Sequence, residues 1–494
     1  MTKVKQYISN RYPLLLIILF SFLFSMMCTN TIWHQESTYV DSSVFIYVAR
    51  IILKGGMPYL NVFDHKGPVI FLINAFALLI SKKNGLYIVE FLNIFITFYF
   101  MYKIAKIKAN KNISLITLLI VSASLFKYFE GGNYTEEFAL PFITISLYFF
   151  IDYFFNNKIN NFRLFICGLS FGTVFLLRPN MVVLWTVMCI GVLIKNIIEK
   201  TPKNLYKFIL LFISGLISIT IPILIWLIKN NAFNDFISDY FIFNEKYSSY
   251  LGIAVMTNKR IKTIFHFLKD PFILFSIIIN IYMIKKDKKF FDKLYISYLI
   301  TNLIFISLSG RQYGHYAMII IPSLIYPYNY LILKISNLKR KKLSNFILLG
   351  LVIVLGLPNY VNASKKAIND YKMQGVNVVH INGEIVINDY CHKFAYLLKQ
   401  YVKKDDKILL SGYQNIIYNL TDTYAPTKYS YQPPNFIYPE KNEEFYKEIK
   451  INKPKIIVLS SNYHDYDRLK TFIDNNDYIE IFHYGKNYVY KKNT

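Results

Sequence analysis

The chain has 494 residues, a formal net charge of +26, 54% hydrophobic residues and 17% charged ones. The positive balance arises from scarce Asp and Glu (30) beside Lys and Arg (56), not from enrichment in bases, which excludes a basic nucleic-acid binder. A mean hydropathy of +0.31 with repeated long apolar runs predicts instead an α-helical polytopic membrane protein.

Residues 13–28 follow Lys3, Lys5 and Arg11 and read as the first membrane helix, because no small-x-small cleavage site follows them. Segment 29–85 reads as a long outer loop whose apolar run, 68–80, lies on the membrane surface. Further spans are expected near 86–102, 113–126, 137–154, 164–177, 181–194, 208–228, 271–284, 294–308, 316–333 and 344–358, giving about eleven in all. A cytoplasmic N-terminus then puts 23 of the 56 basic residues on short inner connections, as the positive-inside rule requires. If 68–80 crossed the bilayer, Lys103, Lys106, Lys108 and Lys111 would face outside.

Residues 1–358 are thus expected to form a transmembrane domain, and 359–494 an extracytoplasmic α/β domain. This tail is polar and rich in Asn, Lys and Tyr. Its pattern predicts an amphipathic helix at 383–402, strands at 407–412 and 455–461, a helix at 465–475 and a hairpin over 478–492 turning at Gly485-Lys486. Cys28, Cys167 and Cys189 lie in or beside apolar runs and Cys391 stands alone, so no disulfide framework or CxxC site is readable.

The unusual polar residues fall on the outer side. Asp41 precedes apolar residues at helical spacing; it is either a helix N-cap or a carboxylate placed to act as a base. Asp64-His65-Lys66-Gly67-Pro68 opens the 68–80 run, where the Lys66 ammonium and the free N–H groups of a helix start both suit a phosphate, unless Lys66 only snorkels to the interface. In Glu130-Gly131-Gly132-Asn133-Tyr134-Thr135-Glu136-Glu137, Asn133 and Glu136 have capping-box spacing. Three Glu residues in so acid-poor a chain also fit a metal, a sugar, or pairing with Lys66 or Arg178. Arg311 and His315, in Ser309-Gly310-Arg311-Gln312-Tyr313-Gly314-His315, suit either phosphate recognition or an interfacial anchor among belt aromatics, with His315 alternatively pairing with a carboxylate; Arg178-Pro179-Asn180 is a similar, weaker motif. In the tail, Tyr429, Tyr431 and Gln432-Pro433-Pro434 fit either turn and packing roles or a stacking wall for a glycan.

The combination DSSVFIYVAR, GGMPYLNVFDHKGP, GGNYTEEFALPF and GRQYGHY resembles the GT-C polytopic glycosyltransferases, particularly the family-39-like branch with protein mannosyltransferases and aminoarabinose transferases. Asp41 matches that branch's acidic residue, followed by Ser42 where the mannosyltransferases have Glu. The stretch His65-Lys66-Gly67-Pro68 matches its helix-opening motif, with Gly67 in place of the first Pro. The resemblance covers roughly residues 10 to 358 and implies a polyprenyl-phosphate-linked sugar as donor, with a cell-envelope glycan, lipid or protein as acceptor. It implies Asp41 as catalytic base, Lys66, Arg311, His315 and Arg178 as donor-phosphate ligands, and Asp64, His65, Asn133, Glu136 and Glu137 as acceptor- or metal-orienting groups. Whether a divalent cation, Mg or Mn, takes part is left open. The competing class is a transporter or flippase of lipid-linked glycans, but such proteins place ionisable groups near the midplane, whereas these sit at the outer ends of the runs.

Overall fold

The computed structural model describes residues 2–31, 40–156, 160–249, 252–374, 379–381, 384–386, 390–432 and 438–493. The apolar runs form helices α1 (Thr2–Ser25), α2 (Val40–Leu53), α3 (Pro68–Ile80), α4 (Gly85–Lys106), α5 (Lys111–Tyr128), α6 (Thr135–Asn156) and α7 (Asn161–Phe175). They continue as α8 (Val183–Ile198), α9 (Pro202–Lys229), α10 (Phe233–Phe236), α11 (Phe243–Ser249), α12 (Ile253–Leu268), α13 (Pro271–Asp287), α14 (Phe290–Ile306), α15 (Ile321–Ser336), α16 (Lys341–Leu351) and α17 (Leu357–Gln374).

Among the described residues, six helices are long and apolar enough to cross a membrane, at 85–106, 111–128, 135–156, 202–229, 314–336 and 341–365. The pair α12 and α13, bent by 83°, adds a seventh if counted as one span. The sequence expectation of eleven is higher because it counts runs such as α7 and α8, whose 15 and 16 residues fall short of the ~20 that a perpendicular crossing needs. At 13 residues α3 is shorter still; one side is buried and Phe76 and Leu79 stand exposed on the other.

The connections expected inside meet one another at one end of the bundle. Lys108 lies over the Phe155 ring, Lys195 over Tyr153, and Tyr326 donates to Asp292 at 2.7 Å. The connections expected outside gather at the other end, where Thr29 N–H donates to Gly131 O at 2.7 Å and Gly67 N–H to Leu177 O at 3.2 Å.

The tail contains β1 (Val379–Ile381), β2 (Glu384–Val386), α18 (Tyr390–Leu398), β3 (Leu409–Leu410), α19 (Asn415–Thr421), α20 (Pro439–Asn452), β4 (Ile456–Ser460), α21 (Tyr466–Asp474), β5 (Tyr478–Tyr484) and β6 (Asn487–Lys492). Its main sheet has the order β3-β4-β6-β5, with β3 and β4 parallel and the expected hairpin β5–β6 antiparallel. The expected helix over 383–402 is shorter. Glu384-Ile385-Val386, with two β-branched residues, pairs antiparallel with Val379-His380-Ile381, and helix begins only at Tyr390.

The tail roofs the end of the bundle where the connections expected outside gather, through buried and part-buried polar contacts. Arg50 on α2 donates to Tyr418 O at 2.8 Å, and Asn419 returns a bond to Ser43 O at 2.8 Å. Tyr47 Oη accepts from Ala425 N–H at 2.8 Å. On the opposite side Lys441 pairs with Asp239 at 2.6 Å, and Phe63 N–H reaches Lys428 O at 2.7 Å. Loop 54–67, which carries the Asp-His-Lys motif, is therefore clamped between bundle and tail.

Candidate active site

Asp41 occupies the first turn of α2 rather than the residue ahead of it, where the positive end of the helix dipole favours a carboxylate. Neighbouring Ser42 is buried and accepts from Asn133 Nδ2 at 2.7 Å, which fixes the start of α2 against the Gly-Gly-Asn turn. That turn needs its residue types: Gly131, Gly132 and Asn133 all have positive φ, at 97°, 88° and 55°. Asn133 also exchanges two bonds of 2.9 Å with Asn74 of α3. It ties three elements together and is fully engaged by protein.

The expected capping box is shifted by one residue. Helix α6 begins at Thr135, so the carboxylate that folds back onto Asn133 N–H, at 2.6 Å, is Glu137 and not Glu136. Glu137 is wholly buried and acts within the turn. Glu136 accepts from Thr135 Oγ1 at 2.8 Å and forms an ion pair with Arg178, whose guanidinium lies 4.2 Å from the Tyr316 ring centre.

Gly67 is required for close approach: a Cβ there would lie 1.8 Å from Leu176 O. This approach corrects one sequence expectation. The N–H groups of Gly67 and Val69, expected to be free at the start of α3, donate to Leu177 O at 3.2 Å and Leu176 O at 3.3 Å. The attraction for a phosphate therefore rests on the Lys66 side chain rather than on this part of the helix terminus.

Asp64 is buried. Its Oδ1 accepts from Lys66 N–H at 2.7 Å, and its Oδ2 from the Tyr431 hydroxyl of the tail at 3.1 Å. Burial pushes its pKa up to about 6; the Lys66 charge and N–H oppose the shift, and the nearby negative charge of Asp41 adds to it. Because this lies above the unfolded value of about 3.9, Asp64 contributes stability that is full below about pH 4 and lost as pH rises through about 6. Asp64→Asn is thus expected to be more stable than the parent at pH 8, by up to about 3 kcal/mol, with the difference closing at pH 4. Thermal unfolding in detergent across this range checks it, and a pH-independent difference would contradict the assignment. A carboxylate retained at a cost in stability is characteristic of a functional site.

His65 Nδ1 is buried without a hydrogen-bond partner, and Nε2 lies 3.4 Å from Lys66 Nζ. Burial, followed by the charges of Lys66, Arg178 and Arg311, pushes its pKa well down, so the imidazole is neutral. Lys66, Arg178 and Arg311 thus lie near enough for their charges to act on this ring. Arg311 stacks 4.0 Å from the Tyr247 ring centre, and Tyr247 also packs on His65 at 5.6 Å. Among the described residues neither Lys66 nor Arg311 is in an ion pair, whereas Arg178 is held by Glu136. His315 faces a carboxylate: Nδ1 lies 2.7 Å from Glu130 Oε2, Gly314 N–H donates to Glu130 Oε1 at 3.0 Å, and the ring stacks on Tyr134 at 4.3 Å.

No group of three or more His, Cys, Asp or Glu side chains placed to hold a metal ion occurs among the described residues. The acids expected to orient a cation are committed elsewhere, Glu130 to His315, Glu136 to Arg178 and Glu137 to Asn133. Among the described residues the side chains do not form a divalent-cation site, and no catalytic step is assigned to one.

Tyr429, Tyr431 and Gln432 are buried and serve packing; Gln432 accepts from Gly412 N–H at 2.7 Å. Pro433 and Pro434 lie outside the described residues. Two aromatics that sequence reasoning passed over do border the site: Tyr247, and Tyr413, which stacks on Tyr431 at 5.1 Å. With 42 Tyr and 42 Phe in the chain, no single aromatic stands out.

The helical bundle and the small roofing domain share their fold with solved structures of low sequence identity. The crystal structure of ArnT from Cupriavidus metallidurans bound to undecaprenyl phosphate matches with a TM-score of 0.62 at 11% identity, over 96% of this chain and 97% of that one. The archaeal oligosaccharyltransferase AglB from Archaeoglobus fulgidus, in complex with an inhibitory peptide and a dolichol-phosphate, matches with a TM-score of 0.56 at 10% identity, over 98% and 74%. Residues 2–345 match the family described as "Putative competence-induced protein Ccs4 N-terminal domain", and the chain belongs to that family. No curated protein sequence matches it. The apolar helices and the fold make it an integral membrane protein.

Proposed function

We propose that the protein is a membrane glycosyltransferase that moves a sugar from a polyprenyl-phosphate carrier to a cell-envelope acceptor on the outer face, with inversion at the anomeric carbon. The observation that carries this reading is the gathering of one acid and base set: Asp64 bonded to the Lys66 N–H and close enough to Asp41 to feel its charge, with Lys66 and Arg311 near the neutral His65. The undecaprenyl phosphate and dolichol-phosphate named for ArnT and AglB lend support to a polyprenyl-phosphate donor.

In this mechanism an acceptor hydroxyl attacks the anomeric carbon from the face opposite the phosphate. Asp41 takes the hydroxyl proton as the C–O bond forms, and polyprenyl phosphate departs with the electron pair of the broken bond. Lys66 and Arg311 compensate the charge gathering on the leaving phosphate, so no general acid is obligatory. Asp64 holds the loop that presents Lys66 and links it to the tail through Tyr431.

In the same reading the chain crosses the bilayer eleven times, through α1, α4 to α9, α13, α14, 314–336 and 341–365. The N-terminus is cytoplasmic and residues 359–494 are outside. The inner-end clustering of Lys108, Lys195 and Arg163 supports this orientation.

The experiment is transfer of radiolabelled sugar from a polyprenyl-phosphate donor by protein in nanodiscs. Lys66→Ala is expected to raise the donor KM about 10- to 100-fold, the loss of one charged hydrogen bond, with the acceptor KM nearly unchanged. Equal effects on both substrates would move the phosphate site elsewhere.

A further inference from the structure

A cavity of about 610 Å³ lies in the tail. It opens at the carboxyl ends of the parallel strands β3 and β4, where loops 411–414 and 460–464 diverge, the position at which open α/β sheets bind ligands. Tyr390, Tyr413 and Tyr463 supply aromatic walls, and Gln414, Asn462 and Asn487 supply amides. Tyr390 and Tyr413 are 42% and 43% exposed, so their faces remain available to a ligand. Gln414 and Asn487 exchange bonds of 3.2 and 3.0 Å, which fixes the amides on the rim. Among the described residues no carboxylate lines the cavity, and Lys486 is the one charged side chain on it beside the neutral His464.

Tyr413 belongs to both the cavity and the active site. It stacks on Tyr431, whose hydroxyl donates to Asp64, and its own hydroxyl feels the charges of Asp41, Asp64 and Arg311. From these placements we infer that the cavity is an acceptor subsite for an uncharged glycan, which stacks its sugar faces on Tyr413 and Tyr390 and extends its terminal hydroxyl past Tyr413 toward Asp41. Flat apolar faces with a rim of amides and hydroxyls are the chemistry that recognises pyranose rings. The inference deepens the transferase reading and rests on it for the word acceptor; the glycan-binding site itself does not.

The test uses the full chain in lipid nanodiscs without donor, with chitotriose and mannotriose as neutral probes and trigalacturonate as an anionic one, followed by saturation-transfer NMR titration. At least one neutral trisaccharide is expected to bind, and Tyr413→Ala to weaken it about tenfold. Should Tyr413→Ala fail to fold, Asn462→Ala reads the same site, with an expected loss of about fivefold. Absence of binding by both neutral probes, preference for trigalacturonate, or binding indifferent to the foldable variant would overturn the inference. Sugar transfer with an unchanged acceptor KM in that variant would overturn it while leaving the transferase reading intact. Binding without any transfer would retain the glycan site and remove the transferase reading.

Discussion

Asp41→Asn is expected to lower the turnover of sugar transfer by about 10²- to 10⁴-fold while leaving the KM for donor and acceptor within a few-fold of the parent. The size follows from the role: Asn keeps the shape and polarity of Asp41 but cannot accept a proton from the attacking hydroxyl. The fold should tolerate the change. Asp41 lies in the first turn of α2, where losing a favourable charge–dipole interaction costs only about 0.3–1 kcal/mol, and its neighbour Ser42 makes the bond that anchors the helix start. A second signature separates this reading from nonspecific damage. The negative charge of Asp41 is one of the causes that raise the pKa of Asp64, so its removal should move the Asp64 titration to lower pH. Near-normal turnover in a folded Asp41→Asn protein would remove Asp41 as base, and Asp64, buried nearby, would become the next carboxylate to test.

The positions legible in the sequence were those where a residue type is costly and therefore informative. In an acid-poor membrane chain, Asp41, Asp64, Glu136 and the basic Lys66, Arg178 and Arg311 stood out at the outer ends of apolar runs, and folding gathers them under one roof. Periodicity likewise gave the β5–β6 hairpin and its turn at Gly485-Lys486. What stayed hidden depends on partners distant in sequence. The N–H groups opening α3 are taken by Leu176 and Leu177, more than 100 residues away, so the helix start looked free when it is not. The shift of the capping role from Glu136 to Glu137 turns on helix α6 starting at Thr135, a one-residue difference beyond the resolution of spacing rules. Tyr413 was invisible because its function comes from lying between the tail cavity and Tyr431, and nothing local distinguishes it from the chain's other tyrosines.

Arg178→Met is expected to produce the largest loss of stability among single changes at the site, about 3–5 kcal/mol, because it leaves the carboxylate of Glu136 buried without its partner. Methionine retains much of the side chain's apolar bulk over the Tyr316 ring, so the loss reports the charge rather than a cavity. Pairing the change with Glu136→Gln removes the stranded charge, and the double variant should recover most of the unfolding temperature. Transfer kinetics then divide two roles that geometry superimposes. A guanidinium has five donors, so the bond to Glu136 leaves donors for a second partner, and the Arg178 charge reaches His65. If the folded double variant transfers sugar with a donor KM raised about tenfold or more, Arg178 contacts the leaving phosphate beside Lys66 and Arg311. A normal donor KM would confine Arg178 to holding Glu136, and the phosphate would then rest on Lys66 and Arg311, the two cations that no carboxylate claims among the described residues. An unfolding temperature unchanged in the single variant would instead show that the Arg178–Glu136 pair holds nothing together.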